Sequence, residues 1–180
     1  DAATGNLEKT LFEETHDKYV EPLHPVTFVP GKKDRFIWMS RRDGYNHIYL
    51  YNTEGKLLRQ LTQGEWEVTA MEGFDSQGKT LFFTATKESP LERHLYRLRL
   101  SSAKISKLTR EPGYHQSEIN PHGSWVMDRF SSLNNPNTIQ ILNQNGRNQR
   151  KLLESKNPLK EYDLGEMEIS TLKAGDGKTD

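Results

Sequence analysis

Short runs of alternating hydrophobic and polar residues, separated by turn residues, make up most of this chain. Residues 35–79 show the pattern most clearly, with the runs FIWMS, HIYLYN, KLLRQLT and EVTAMEGF. The breaks between the runs read RRDGYN, NTEG, QGEW and DSQGK, and their glycines supply the positive φ angles that tight hairpin turns require. This pattern predicts four short antiparallel strands, because helices would need amphipathic stretches of about ten residues or more.

The four-strand pattern recurs along the chain. Ile48, Leu95 and Ile139 begin the same strand in three successive units, at separations of 47 and 44 residues. A period of roughly 40 to 50 residues with four strands per unit is typical of the blades of a β-propeller. The repeat therefore predicts a blade at residues 35–79, a second blade at 80–124 and a divergent last blade at 125–165.

Both ends of the chain look like parts of further units. The segment Gly5–Glu21 lines up on Gly55–Thr69, so residues 1–34 are predicted to form the second half of a preceding blade. Residues 166–180 read as a linker and a strand that leads into an Asp-Gly turn. We expect an all-β fold, a partial β-propeller of about three four-stranded antiparallel blades with an incomplete blade at the amino end. This segment of a longer protein would expose the faces of its terminal sheets and could self-associate.

Composition narrows the classes of function. The 25 basic and 25 acidic side chains balance to a net charge of zero, which argues against a nucleic-acid or anionic-membrane partner. Hydrophobic residues are only 33% of the chain, but an aromatic content of 9% supports a packed core. The absence of cysteine excludes disulfides, thiolate metal sites and a cysteine nucleophile. No apolar run approaches the ~18 residues of a membrane-spanning helix, and the first residues do not resemble a signal peptide.

Histidines and charged pairs are the candidates for chemistry. His47 and His94 share one repeat position, which favours a structural hydrogen-bonding role over catalysis. The histidines at 115 and 122 lack the spacing of a zinc motif. The acidic pairs could bind a substrate amino group or act in acid–base chemistry, but solvated turns explain them better. The six histidines are His16, His24, His47, His94, His115 and His122, and the acidic pairs are Glu13-Glu14 and Glu65/Glu67.

Three other features have a structural and a functional interpretation. The turn Arg41-Arg42-Asp43 resembles a solvated hairpin more than an anion clamp. The aromatic residues suggest packing between sheets more than a sugar- or peptide-binding face. The Asn-rich segment Ser131–Gln149, more loop-like than its counterparts, could be a recognition loop or ordinary turn chemistry. No nucleophile elbow, Walker loop or dinucleotide motif is present, so we predict no catalytic, cofactor-binding or metal-binding residues in this chain. The aromatic residues are Tyr45, Tyr49, Tyr51, Tyr96 and Trp125.

Two motifs together resemble the later blades of the N-terminal β-propeller of the dipeptidyl peptidase IV family, within the prolyl oligopeptidase group of serine peptidases, in its bacterial form. The terminal KAGDGKTD is similar to the first strand of that family's α/β-hydrolase domain. The first motif comprises Trp38, Ser40, Arg42, Asp43, Gly44, Tyr45 and His47, and the second comprises Leu61, Thr62, Gly64, Trp66, Glu67 and Val68.

The resemblance implies a parent exopeptidase that removes dipeptides with proline or alanine in second place from free amino termini. Its catalytic serine, aspartate and histidine would lie in a hydrolase domain beyond Asp180, and this chain would limit access to them. The family's amino-binding glutamates lie in an earlier propeller segment, and Glu13-Glu14 does not match their surroundings. The resemblance further implies a periplasmic or cell-envelope location, a homodimeric parent, peptide substrates and no cofactor. The alternative is a non-enzymatic propeller of the TolB or WD-repeat type that serves as a platform for protein interactions.

Overall fold

The computed structural model of the chain describes residues 1, 3–21, 25–147, 150–165 and 167–178. Within these residues the chain forms twelve β-strands and no helix. The strands are β1 (Thr27–Phe28), β2 (Arg35–Ser40), β3 (His47–Asn52), β4 (Leu57–Gln60), β5 (Val68–Phe74), β6 (Thr80–Ala85), β7 (His94–Arg99), β8 (Lys104–Lys107), β9 (Tyr114–Ile119), β10 (Trp125–Ser132), β11 (Asn135–Asn143) and β12 (Arg150–Glu154).

The strands assemble into three four-stranded sheets. The first sheet contains β1 to β4, the second β5 to β8 and the third β9 to β12, and within each sheet the strands follow chain order. All pairings within the sheets are antiparallel. The predicted all-β, propeller-like arrangement of three four-stranded blades is confirmed, and the three sheets do not close into a ring.

The sheets are offset by one strand from the units predicted from the repeat. Strand β5, predicted as the fourth strand of the 35–79 unit, pairs with β6 of the next unit through Val68↔Ala85 and Phe74↔Leu81. A tight turn closes the β5–β6 hairpin, whereas a longer connection separates β4 from β5. A repeat can be read from any starting point, but only hydrogen bonding defines a sheet, so the sheets span residues 27–60, 68–107 and 114–154.

The second sheet has its two faces buried against different neighbours. In β6, Leu81 and Phe83 belong to a cluster shared with Ile37 of the first sheet. Phe82 points the other way and packs with Val126 of the third sheet. Because neighbouring residues in a strand face opposite sides, the continuous apolar run LFF is what a sheet covered on both faces requires.

Residues 7–21 form an extended segment, here called the amino-terminal strap. No strand is assigned in the strap, but the carbonyl of Leu11 lies against Gly55, as the carbonyl of Leu108 lies against Gly146 in the next-but-one unit. Lys9 Nζ also contacts Glu54 at 2.9 Å. The strap therefore occupies the place beside the first sheet that a preceding unit was predicted to fill, although without a strand ladder among the described residues.

The carboxy-terminal segment differs from expectation. Residues 167–173, predicted as a strand, pair with no described strand, and a strand without a hydrogen-bonded neighbour is not formed. The predicted turn is present, because Gly177 N–H donates to the carbonyl of Ala174 at 2.9 Å. Thr179 and Asp180 lie outside the described residues.

The outward face of the third sheet is uncovered in this structure. Trp125 is 48% exposed, Met127 42% and Leu153 48%. The opposite face of the same sheet is buried, and β10 alternates between exposed and buried positions along its length. Self-association through such a face stays a prediction.

Candidate functional site

The two ends of the stacked sheets differ in their connections. At one end lie the connections between β1 and β2 and between β3 and β4, of six and four residues, and at the other end lie those between β2 and β3, β4 and β5, and β6 and β7, of six, seven and eight residues. The charged residues singled out from the sequence gather at this second end, here called the loop end. Functional side chains of β proteins commonly lie on such loops, held by the rigid sheets beneath them.

Two neighbouring arginines bind three carboxylates at the loop end of the first sheet. Arg42 donates to Glu14 of the strap, and Arg41 donates to Glu21 of the strap at 3.0 Å and to Glu67 of the β4–β5 connection. The turn is exposed to solvent, as predicted, and its arginines are also ion-paired within the chain. They attach the strap to the first sheet and tie the β4–β5 connection to both.

Glu14 is the most enclosed carboxylate of this network. Its carboxylate accepts from Trp38 Nε1 at 3.1 Å, and its side chain is 18% exposed. Burial alone would raise the pKa of Glu14, but hydrogen bonds from Ser40, Trp38 and Arg42 outweigh it and lower the pKa below its ordinary value. Glu14 is therefore an ionised structural anchor of the strap.

A cleft of about 340 Å³ opens beside the network, between strap residues 13–21 and Ser40–Arg42. Glu13, His16 and Tyr19 line it. The His16 ring already accepts backbone N–H donors, from Lys18 through Nδ1 at 3.1 Å. A second, larger cleft lies at the same end, between the connections of the second and third sheets, and Leu91, Tyr114 and Leu133 line it. Neither cleft brings together a nucleophile, a base and a group that orients the base.

His47 and His94 make the same hydrogen bond through Nδ1 in successive sheets. Thr62 Oγ1 accepts from the Ile48 N–H and lies 3.1 Å from His47 Nδ1, so the hydroxyl donates to that nitrogen. His47 Nε2 then donates to the carbonyl of Gly64 at 2.9 Å. In the second sheet, Thr109 Oγ1 likewise accepts from the Leu95 N–H and lies 2.9 Å from His94 Nδ1. These contacts support the structural role predicted from the shared repeat position.

A buried polar network in the third sheet was missed from the sequence. Asp128 is fully buried and accepts from His115 Nδ1 at 2.9 Å, Ser117 Oγ at 2.8 Å and Gln140 Nε2 at 2.8 Å. Ser117 bonds to the carboxylate and not to the histidine, so the three side chains do not form a catalytic relay. The sequence does contain an indication of this network. In the alternating strand β10, Asp128 occupies an inward position between the apolar residues Val126 and Phe130.

Three of the aromatic residues singled out from the sequence make ring contacts inside the fold. Tyr51 stacks on Phe36 and Tyr96 stacks on Phe83, each with ring centroids 5.5 Å apart, and the Arg42 guanidinium lies 4.5 Å above the Tyr49 ring. Packing between sheets is confirmed for Tyr96, which lies in the cluster shared with the first sheet, whereas Tyr49 and Tyr51 are buried against side chains of their own sheet and of the strap, and the side chains at 45 and 125 are partly exposed.

The Asn-rich segment differs from expectation. β11 (Asn135–Asn143) runs through it as a nine-residue strand, longer than its counterparts β3 and β7, so the prediction that Ser131–Gln149 is more loop-like than its counterparts is wrong. Inward positions such as Thr138 and Gln140 are polar, which hides the alternation. Asn148, Gln149 and His24 lie outside the described residues. Elsewhere in the described chain, no three histidine or acidic side chains are grouped as metal ligands, and no helix could cross a membrane.

Comparison with known proteins adds to this geometry. The model of the "Dipeptidyl peptidase IV (DPP IV) N-terminal region" family matches residues 1–137. Dipeptidyl peptidase 4 of Trichophyton rubrum is 28% identical over 171 residues, which cover 91% of this chain and 22% of that protein. A probable dipeptidyl-aminopeptidase B of Arthroderma gypseum is 32% identical over 125 residues, covering 64% of this chain and 14% of that protein.

Solved structures match in the same way. A dipeptidyl aminopeptidase IV homologue from Bacteroides ovatus superimposes with a TM-score of 0.80 at 30% identity, covering 91% of this chain and 26% of the other. Dipeptidyl peptidase 4 from Porphyromonas gingivalis gives a TM-score of 0.70 at 27% identity, covering 78% of this chain and 20% of the other. The chain thus spans a quarter or less of the length of most of these proteins.

Proposed function

The chain belongs to the dipeptidyl peptidase IV family as a segment of its N-terminal region, and from this premise we propose that it limits the access of substrates to a serine peptidase domain of the same polypeptide. That peptidase removes dipeptides with proline or alanine in second place from free amino termini. Acyl transfer through an activated serine is the reaction expected of the peptidase domain, whose residues lie outside this chain.

The observation that carries the proposal is the family match over residues 1–137, made by a chain whose three sheets stack face to face. Two continuous apolar clusters join the sheets, with fully buried Phe83 in one and Phe82 in the other. Close-packed interfaces of this kind resist separation. A wall of such sheets admits an extended peptide and excludes a folded domain, so selection rests on shape rather than on a binding pocket.

The loop end supplies the part of this wall that faces a substrate. The arginines at 41 and 42 hold the strap and the β4–β5 connection together, so the edge of the wall is braced by charge-assisted hydrogen bonds. A braced edge keeps a constant opening, which selection by size requires. We extend the proposal to a periplasmic or cell-envelope location and a homodimeric protein, both on the family resemblance.

The test uses the longer protein that contains this segment and three substrates with one amino-terminal sequence, Gly-Pro. The first substrate is a short peptide, the second a stably folded domain with a two-residue overhang, and the third the same domain held unfolded by chemical modification. We expect release of Gly-Pro from the peptide and the unfolded chain, with kcat/KM for the folded domain lower by at least about 100-fold, because a folded domain cannot enter.

The outcomes separate the two parts of the proposal. Equal kcat/KM for the folded and unfolded domains would overturn size selection while leaving the peptidase activity intact. No release from any substrate would overturn the peptidase activity, and the interaction-platform alternative would then be preferred. Acetylation of the peptide's amino group is the matched control, and it should abolish release by an exopeptidase.

A further inference from the structure

Two histidine rings meet where the second sheet joins the third. The rings of His94 and His115 lie with centroids 4.9 Å apart, and His94 is 0% exposed and His115 2%. The backbones cross here as well, because His115 N–H donates to the carbonyl of Arg93 at 3.0 Å and Arg93 N–H to that of Gly113 at 3.2 Å. The two rings therefore lie inside a hydrogen-bonded junction between sheets.

Both ring nitrogens of His115 face hydrogen-bond acceptors. Nδ1 lies 2.9 Å from the Asp128 carboxylate, and Nε2 lies 2.7 Å from the backbone carbonyl of Glu111. A neutral imidazole has a single N–H donor, so these two bonds require one further proton on the His115–Asp128 pair. The pair can hold that proton on the ring or on the carboxylate, and in either place the pair as a whole carries no net charge.

His94 is hydrogen-bonded as a neutral ring. Its Nδ1 receives the Thr109 hydroxyl at 2.9 Å, and its Nε2 donates to the Glu92 carboxylate at 2.8 Å. Burial lowers the pKa of His94, the neighbouring Glu92 carboxylate opposes this shift, and the positive charges of Lys107 and His115 add to it.

The equivalent junction between the first and second sheets lacks this arrangement. There His47 meets the indole of Trp66, edge to face at 5.0 Å, and its Nε2 bonds to the carbonyl of Gly64 at 2.9 Å. A proton added to His47 would face an aromatic ring and an oxygen acceptor, and not a second imidazole. The chain therefore contains an internal reference for the His94–His115 junction.

We propose that the His94–His115 contact is an acid-sensitive junction, which opens between the second and third sheets when a proton is added to His94. A proton on His94 would put a charge on a fully buried ring that lies near Lys107 and 4.9 Å from the His115 ring, and the Glu92 carboxylate offsets only part of that cost, so the closed junction is destabilised. The charged or titratable groups facing His94 are Glu88 and Glu92 of the β6–β7 connection, Lys107 of β8, His115 of β9 and, through His115, Asp128 of β10.

The direction of the pH effect follows from proton linkage. The pKa of His94 is lower in the closed junction than the ordinary value of about 6.5 that the opened chain would show. The open form therefore binds more protons in mildly acidic solution, and the closed form loses stability as the pH falls below about 6.5. Between pH 7.5 and 5.5 the opening constant rises by up to about tenfold for one histidine that stays neutral when closed.

The experiment measures hydrogen–deuterium exchange of the longer protein at pH 7.5 and 5.5, with rates corrected for intrinsic chemical exchange. Peptides covering β9 and β10 report the proposed junction, and peptides covering β2 and β3 report the reference junction. We expect a several-fold rise in opening at pH 5.5 for β9 and β10 only. The variant His94→Gln should lose this rise, and the matched variant His47→Gln should keep it.

A third variant keeps the proposal testable if substitution of either buried histidine prevents folding. Glu92→Gln removes, from a partly exposed side chain, the carboxylate that favours the charged form of His94. The rise in opening should then be larger than in the unmodified protein. Equal protection of β9 and β10 at both pH values, an undiminished rise in His94→Gln, or a smaller rise in Glu92→Gln would each overturn the proposal.

Discussion

Substituting alanine for one turn glycine in each of two neighbouring sheets measures the packing between those sheets directly. Gly31 and Gly78 occupy the same turn, between the first and second strands of their sheets, with φ angles of +72° and +62°. A Cβ added at Gly31 meets no atom within 4 Å. A Cβ at Gly78 would overlap the backbone carbonyl oxygen of Pro30 and lie 3.1 Å from the carbonyl carbon. The two substitutions differ mainly in this inter-sheet contact.

The magnitudes follow from the two effects. An alanine in the left-handed conformation costs about 1–2 kcal/mol, and Gly31→Ala should destabilise the chain by that amount alone. Gly78→Ala should lose the same amount and a further 1–3 kcal/mol or so, because the rigid backbone of Pro30 must move to make room. Gly123→Ala should destabilise the chain about as much as Gly78→Ala. A Cβ added at Gly123, in the third sheet, would lie 2.7 Å from Asp75 Cα in the turn of the second sheet.

Urea denaturation of the 180-residue chain and its three variants is the assay. With a slope of about 2 kcal/mol/M, the midpoint of Gly78→Ala should fall about 0.5–1.5 M below that of Gly31→Ala. Equal midpoints for these two variants would refute the reasoning, because the turns would then not pack against the preceding sheet. A selective loss in Gly123→Ala alone would likewise contradict a regular repeat of the contact.

Three further expectations follow from the contacts of the buried and ion-paired groups. Asp128→Ala removes the shared acceptor of three buried donors and should cost about 3–5 kcal/mol in urea denaturation, whereas Asp34→Ala at an exposed site should stay within about 0.5 kcal/mol. Arg42→Ala should free the strap and speed tryptic cleavage at Lys18, with Arg35→Ala as the charge-matched control; unchanged cleavage would show that Arg42 does not hold the strap. Because hydrogen bonds lower the pKa of Glu14, the stability that this anchor contributes is fully present above the ordinary glutamate pKa, near 4.5, and is lost as the pH falls through the lowered value. Faster exchange of the strap amides at pH 3 than at pH 6, after correction for intrinsic rates, would show this, and equal protection would contradict it.

The repeat made the strands and turns predictable, because glycine-containing turns and alternating runs are local signals. The pairing of β5 was not predictable in the same way, since EVTAMEGF reads identically as the last strand of one unit or the first of the next. Pairing depends on contacts between residues distant in the chain, which a period alone does not specify. The strands of the third sheet were harder to recognise for a different reason. Asp128, Thr138 and Gln140 place polar side chains at inward positions, which interrupts the alternating pattern.

The arginine–carboxylate network at the loop end also depends on contacts between residues that are distant in the chain, so it could not be predicted from the sequence. Arg41, Arg42 and the acidic pairs were all visible in the sequence, but separately, and each alone was best explained as a solvated turn. Only the fold brings strap residue 14 beside residue 42, which is 28 positions away in the chain. Sequence reasoning did identify the shared position of His47 and His94, because a residue that recurs with the repeat reports on the repeat itself.

The measurement that tests the central claim most directly is the identity of the first product that the longer protein releases from an unblocked peptide beginning Gly-Pro. Mass spectrometry over a time course should show the intact dipeptide Gly-Pro as the first product, with the remaining peptide shortened by two residues. Release of single amino acids, cleavage at an internal bond, or an unchanged peptide would contradict the assignment of this segment to a dipeptide-releasing peptidase.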